Sequence, residues 1–294
     1  MKLIKPSYEI INQSSGIDGI YKQIEIAGRT CYKSENKITE NSAKEFVDRM
    51  IKSGHGAMLE HGTVYLILPI SNSSKDSHRY SKNKYSKSTI VFSDGEDNYS
   101  GIFVTTNLRV LVENNWLDDL QYICEPTEHH EKRISVKFIC DRGVSHEYVR
   151  HRVFSFAQES TRYCNYSKDK FSNLLTYIIP EWLILSEGKY IYLPKDGGIW
   201  VDENNNLQKE FVDSEDITCW INSLAISEKT YFKLLEDGWK PQQARSVLPN
   251  SLKTELVMTG FESDWKHFFK LRCVNNAHPQ ARELAIPLEK EFNK

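Results

Sequence analysis

Cysteine is sparse and scattered in this 294-residue chain. The six residues stand at 31, 124, 140, 164, 219 and 273, and no two form a Cys-x-x-Cys pair. That spacing offers no zinc site, and no metal is expected. A reduced protein is the economical reading. Long apolar runs are missing as well. The start, Met1-Lys2-Leu3-Ile4-Lys5-Pro6, carries no stretch of signal-peptide length, and no segment approaches a membrane span. The expectation is therefore a soluble, cytoplasmic protein with no membrane partner. An excess of one charge sign is also absent. Thirty-eight Lys and Arg face 40 Asp and Glu, a net charge of −2, which argues against wholesale nucleic-acid binding. No Walker or dinucleotide glycine fingerprint is present, since Gly54-His55-Gly56 lacks the third glycine. Internal repeats and a clean linker are missing too, and the 39% hydrophobic content is enough for a substantial core. Residues 1–294 read as one domain.

Aromatic residues are plentiful (Tyr 15, Phe 13, Trp 6), which suits both core packing and stacking on flat ligands. The most concentrated chemistry lies in one run, Arg150-His151-Arg152-Val153-Phe154-Ser155-Phe156-Ala157-Gln158-Glu159-Ser160-Thr161-Arg162-Tyr163. A solvated face would mix in acids and lysines more evenly. Arginine forks bind phosphate and the edges of planar heterocycles, and they stay charged at any working pH. Serine hydroxyls and loop N–H groups add neutral donors around the same anion. A local pocket for a small phosphate ligand fits this run better than a nucleic-acid surface does.

The flanking pattern supplies elements for the run. A short strand near the start and a helical turn over Ile17–Ala27 come first, with Arg29 as a capping or ligand-touching residue. Ser42-x-x-Glu45 reads as a capping box, Phe46, Val47, Met50 and Ile51 recur at helical spacing, and Gly54 is placed to stop the helix. His55 opens a turn to His61, and Val64–Leu68 alternates as a strand. From residue types alone these two histidines are metal ligands or structural groups. Residues 71–100 are polar and turn-rich. They read as an insertion, either a loop or a hairpin built on Thr89-Ile90-Val91-Phe92 and turning at Asp94-Gly95. Asn107 can cap a helix through Leu108 and Leu111, and Ile134–Cys140 alternates as a half-buried strand. A helix from about Ser145 would place Val144, Tyr148 and His151 on one face and deliver the basic run to its end and the loop beyond. Region 170–216 suggests no function. Further on, Ile217 to Leu235 forms an amphipathic face ended by Asp237-Gly238. Pro241 can open the next helix, and helices over Asp264–Leu271 and Gln280–Leu288 follow.

The basic run resembles the signature of the flavin-dependent thymidylate synthases, Arg-His-Arg-x-x-Ser-x-x-x-x-Ser-x-Arg-Tyr, with every fixed position filled: Arg150, His151, Arg152, Ser155, Ser160, Arg162 and Tyr163. Gly54-His55 through Glu60-His61 matches the family's Gly-His-x-x-x-x-Glu-His turn. Ala244-Arg245-Ser246-Val247-Leu248-Pro249 matches its Ala-Arg-x-x-Leu-Pro element, and Leu271-Arg272 closes a further element, all in the family's order. The resemblance implies an α+β fold with a mostly antiparallel sheet flanked by helices. It also implies a homotetramer whose active sites draw on several subunits.

The implied reaction is methylation of dUMP at C5 to dTMP. Methylenetetrahydrofolate supplies the carbon, and FAD reduced by NADPH supplies the hydride. By the same resemblance Glu147, Arg150, Gln158, Glu159, Ser160, Arg162, Arg245 and Arg272 belong to the dUMP side, with Arg272 the catalytic residue that favours negative charge on the pyrimidine. His55, Ala57, Glu60, Arg150, His151, Arg152, Gln158 and His267 belong to the FAD side. The family uses no catalytic cysteine, and Cys164 has no flanking base, so it reads as structural. Two departures stand out. Many relatives have Glu-x-Ser where this chain has Gln158-Glu159-Ser160, which shifts the acid by one place. Many also have an Asn-x-Arg touching the flavin where this chain has Phe261-Glu262-Ser263. The alternative reading is a nucleotide-binding relative that has lost flavin chemistry.

Overall fold

The computed structural model describes residues 1–70, 79–92, 100–168, 171–193, 199–208, 211 and 214–294. Strands β1 (Lys2–Ile4) and β2 (Ser7–Ile11) lead into helix α1 (Gly16–Tyr32). Helix α1 is longer than the turn expected over Ile17–Ala27. Its buried stripe of Ile20, Ile24 and Ala27 continues to Gly28, where the Phe46 ring approaches so closely that an added Cβ would meet it at 2.4 Å. Arg29 is not a ligand-facing group. It is largely buried, bonds Glu25 and lies over the Phe46 ring.

Helix α2 (Ser42–Lys52) buries Phe46, Val47 and Met50 as their spacing predicts. The expected capping box does not form, because the Ser42 hydroxyl donates to the Glu25 carboxylate at 2.8 Å instead. The helix end does follow expectation. Gly54 sits at φ +68°. Its N–H donates to the Ile51 carbonyl at 3.1 Å, and the His55 N–H donates to the Met50 carbonyl at 2.9 Å. These paired bonds are a Schellman motif, which only a residue at ease with positive φ completes without strain.

Next come the short helix α3 (Gly56–Leu59), β3 (Thr63–Leu68), β4 (Lys87–Val91) and β5 (Gly101–Asn107). The Asn107 side chain then caps α4 (Leu108–Asn114), accepting from the Val110 N–H at 3.1 Å. Strand β6 (Arg133–Asp141) runs directly into α5 (Arg142–Tyr148), because the Asp141 side chain caps that helix at 2.6 Å. The helix expected from Ser145 therefore starts and ends earlier, and His151 lies beyond it. Four strands follow in the order β7 (Ser155–Gln158), β8 (Thr176–Ile178), β9 (Gly188–Leu193) and β10 (Ile199–Asp202). The carboxy-terminal part holds α6 (Glu215–Glu236), α7 (Pro241–Ala244) with its proline first, β11 (Lys253–Phe261), α8 (Glu262–Arg272) and α9 (Pro279–Phe292).

The site is built on the sheet ordered β2-β6-β11-β7, antiparallel throughout. Its strands alternate between two cores, as the two-residue period of a strand requires. On one face Val136, Phe138, Leu256 and Met258 pack with Trp265 and Phe268 of α8 and Leu284 and Leu288 of α9. On the other, Ala157 and Val257 join Ile20 and Ile24 of α1, Phe46 of α2, and Val64 and Val104 of β3 and β5. A second antiparallel sheet is ordered β3-β5-β4. The strand expected at Thr89–Val91 is its edge, with Val91 opposite Gly101; the expected turn at Asp94-Gly95 lies outside the described residues. The third sheet, β10-β9-β1-β8, contains the one parallel pair among the described residues, β1–β8, and packs on α6. The α+β class is as expected. Among the described residues no helix is long and apolar enough to cross a membrane.

Candidate active site

The signature runs through a turn, a strand and a second turn rather than a helix end and a loop. Helix α5 is anchored by Tyr148, a fully buried ring whose hydroxyl donates to the Ala281 carbonyl at 2.8 Å. The chain then turns tightly. His151 N–H donates to the Tyr148 carbonyl at 3.1 Å, and Phe154 N–H to the His151 carbonyl at 3.1 Å. Those bonds bury His151 and leave Arg150 and Arg152 exposed on either side of it. Next, β7 pairs with β11 from Ser155↔Thr259 to Gln158↔Leu256. A second turn, 159–163, is fixed by Glu159 N–H to the Glu255 carbonyl at 2.8 Å and Ser160 N–H to the Cys31 carbonyl at 3.0 Å.

At the first turn the signature meets the end of α8. Arg272 donates through Nη1 to the Glu147 carboxylate at 2.6 Å and through Nη2 to the Glu147 carbonyl at 2.6 Å. Its Nε donates to Nε2 of His151 at 2.9 Å. An accepting Nε2 places the imidazole proton on Nδ1. The His151 pKa agrees, pushed down to about 4 by burial first and then by Arg272 and His267. His267 is exposed on α8, one turn before Arg272. The result is a guanidinium held in one orientation beside a neutral imidazole.

At the second turn, Arg245 reaches across from the end of α7 and donates to the Thr161 hydroxyl at 3.1 Å. Arg162 is exposed, with its guanidinium 5.3 Å from the Tyr163 ring centre. Ser160 Oγ accepts from the Arg162 N–H at 3.3 Å. The Tyr163 ring lies 5.6 Å from Tyr32 at the end of α1, and the Tyr32 hydroxyl is 3.3 Å from Nδ1 of His55. His55, Tyr32, Tyr163, Arg162, Ser160 and Arg245 are thus linked in one series. Gln158 donates to Ser145 Oγ at 2.8 Å and to Thr254 Oγ1 at 3.3 Å.

Glu159, expected on the substrate side, turns inward. It is 2% exposed and accepts from the Tyr166 hydroxyl at 2.9 Å and the Lys253 ammonium at 2.8 Å. Lys253 also pairs with Glu255 at 2.6 Å, as do Lys137 at 2.6 Å and Lys33 at 2.8 Å. Burial alone would raise the Glu255 carboxyl, but the three lysines outweigh it and hold it well below the usual carboxylate range. This network lies directly under the second turn.

The remaining cofactor candidates sit elsewhere. Ala57 is half-buried on α3, against the core formed by α1, α2 and β3. Glu60 pairs with Arg109, while its carbonyl accepts from Arg133 at 3.0 Å. Glu60 and Arg152 both border a cavity of about 540 Å³, together with Lys87, Arg133 and Phe261. The structure therefore brings these two candidates together but not His55 or His151 with them. Burial lowers Arg133 to about 10, and its Nε–H finds no acceptor among the described residues. A cavity bordered by Lys84, Lys87, Arg133 and Arg152 with the Phe261 and Tyr85 rings suits an anionic, ring-bearing ligand. His61 is fully buried, with Nδ1 2.8 Å from Thr259 Oγ1. Burial and then Arg133 push its pKa down to about 3, so it acts as a structural group. Cys164 is buried in the core under α6, as expected of a structural thiol.

Sequence reasoning missed Tyr32, Thr161 and Arg133. Nothing local marks Tyr32 or Arg133, whose partners lie 23 and 73 residues away. Thr161 is visible only as the variable position before Arg162.

A family model described as thymidylate synthase complementing protein matches residues 124–294, more than half of the chain. A flavin-dependent thymidylate synthase of Pyrococcus abyssi is 28% identical over 155 residues, covering 53% of this chain and 52% of the relative. The corresponding protein of Pyrococcus horikoshii is 31% identical over 155 residues with the same coverage. That of Geobacter sulfurreducens is 28% identical over 147 residues, half of each chain. The chain thus spans about half the length of the curated relatives it matches. Among solved structures, the UMP/dUMP methylase PolB from Streptomyces cacaoi bound with 5-Br dUMP superposes on 99% of this chain and 92% of its own. The TM-score is 0.44 and the identity 16%. With a family model over more than half its length and every fixed position of the signature in place, the chain belongs to the thymidylate synthase complementing family, that of the flavin-dependent thymidylate synthases.

Proposed function

We propose that this protein methylates dUMP at C5 to give dTMP, with methylenetetrahydrofolate as carbon donor and FAD reduced by NADPH as hydride source. The observation that carries this reading is the coupling of Arg272 to Glu147 and His151 within the chain segment whose far end meets Arg245. Ser160, Arg162 and Arg245 surround a place for the nucleotide phosphate, and forked guanidinium donors suit it. Arg272, held by Glu147, faces the pyrimidine. Uracil C5 is a weak nucleophile until negative charge develops on the ring, and a preorganised guanidinium favours that charge without reorganising at the moment of reaction. The neutral His151 positions Arg272 without adding a second positive charge. Gln158, a neutral amide already donating to Ser145, takes a hydrogen-bonding role and not that of a base.

The flavin supplies the hydride once it is bound and reduced. Arg152 and Glu60 border the cavity that would hold part of it, and the positive charge of Arg133 on the same lining suits a phosphate there. The other expected flavin residues, His55, Ala57, Arg150, His151, Gln158 and His267, lie outside that lining. A homotetramer sharing sites between copies accounts for this separation. A second reading, a nucleotide binder without flavin chemistry, is favoured by one feature. Phe261 and Ser263 place a ring and a hydroxyl where many relatives have amide and charged donors.

The test is turnover. Purified protein supplied with FAD, NADPH, methylenetetrahydrofolate and dUMP should form dTMP by chromatography, and omission of FAD should abolish it. Tight dUMP binding with no dTMP under any of these conditions would select the second reading.

A further inference from the structure

The cavity beside Arg152 has a wall that the signature does not provide. One side is formed by Arg152 to Ser155 with Gly260 and Phe261. The other is formed by Lys84, Tyr85 and Lys87, from the segment that reads as an insertion. Strand β4 holds this segment in place through its register with β5, which begins at Lys87↔Thr105. The Lys87 ammonium lies 4.7 Å from the centre of the Phe261 ring, donates to Ser263 Oγ at 2.7 Å and pairs with Glu131 at 2.6 Å. Arg133 lies 5.5 Å from the same ring. Phe261 is therefore in contact with two cations that border the same space as Arg152. Lys84 adds a further cation, 4.8 Å from the exposed Tyr85 ring. The two acids of the lining are already engaged, Glu60 with Arg109 and Asp264 with the Phe261 N–H at 3.0 Å. A cavity of about 540 Å³ with aromatic faces and a surplus of cations suits a planar ring system that carries phosphates.

We propose that Lys84, Tyr85 and Lys87 are binding residues for the phosphate-bearing part of the flavin nucleotide, so that residues 84–87 form a wall of the cofactor site. The proposal rests on the flavin-dependent reading above. Ser263 carries no charge, but Lys87 bonds it directly and brings a cation to that place from a neighbouring element.

The experiment is a fluorescence titration of the full-length protein with FAD, FMN and riboflavin, run on the wild type, Lys84→Ala, Lys87→Met and the control Lys82→Ala. Lys82 is exposed and does not border the cavity. Each cavity variant is expected to weaken FAD and FMN binding about tenfold, the scale of one charge-assisted bond. Riboflavin, lacking phosphate, and the Lys82→Ala control should be unchanged. Wild type that binds FAD while both cavity variants bind it equally well overturns the proposal and leaves the enzymatic reading standing. Equal weakening of riboflavin and FAD marks a merely structural role and overturns it as well. Wild type that binds no FAD overturns both readings. Lys84→Ala keeps the test sound if Lys87→Met unfolds, because Lys84 is not part of the Glu131 pair.

Discussion

The proposed reaction rests on Arg272, and its three bonds to Glu147 and His151 are what make it a fixed charge rather than a mobile one. Arg272→Ala is expected to lower turnover by about 10²–10³-fold, the scale of losing one preorganised donor, while FAD still binds. Near-normal kcat in that variant would remove Arg272 from the reaction. Glu147→Gln should cost less and act mainly on kcat, since it loosens the guanidinium without deleting it. Protonation gives a second test. His151 and His61 are pushed down to about 4 and about 3, whereas unfolded imidazole titrates near pH ~6.5. Between these values the unfolded chain binds more protons, so their contribution is complete above the ordinary histidine range and is lost as pH falls through it. Urea midpoints should drop between neutral pH and about pH 5, and a flat profile would contradict the neutral-imidazole account. The signature residues were legible because their types and spacing are local. The direction of the Glu159 side chain was not, because Lys253, 94 residues away, sets it.

Among the elements, the end of α2 shows how a turn places a functional group. The Schellman pair at Gly54 fixes where His55 leaves the helix. Gly54→Ala forces a Cβ into the left-handed region and should cost about 1 kcal/mol, read as a lower denaturation midpoint with weaker flavin binding. Strand β11 is the structural counterpart. It carries Glu255 into a cluster of three lysines, and Glu255→Gln leaves those charges without their common partner. A loss of about 3 kcal/mol is expected, the lower end for breaking a buried pair; a midpoint shift near zero would show the network to be solvated. The helices and the strands at β3 and β6 could be read from periodicity and caps. Strand β11 could not, because it is buried on both faces and lacks alternation, and Gly260 within it answers only to the Phe154 ring, 2.6 Å from where a Cβ would stand. The capping box at Ser42 failed for a similar reason, since its hydroxyl is taken by Glu25 on another helix.

At the scale of the whole molecule, the described residues form three sheets, and the β2-β6-β11-β7 sheet carries the signature strand. The antiparallel plan with flanking helices was legible through the family resemblance. The β10-β9-β1-β8 sheet was not, because it joins the chain's first strand to residues near 176–202, a pairing no local pattern encodes. The separation of His55 from the cavity holding Arg152 leads to a prediction about assembly. Mixing Arg152→Ala with His55→Ala protein, each inactive alone, should restore dTMP formation if sites are shared between copies. No rescue after subunit exchange would place each site within one chain. The central claim is that one protein brings flavin and dUMP together, and a visible absorption spectrum of the FAD-reconstituted protein, recorded before and after dUMP is added, tests it most directly. The account predicts a bound-flavin band that shifts on addition of dUMP and does not shift in Arg162→Ala. A protein that binds dUMP while its solution flavin keeps the spectrum of free FAD would contradict it.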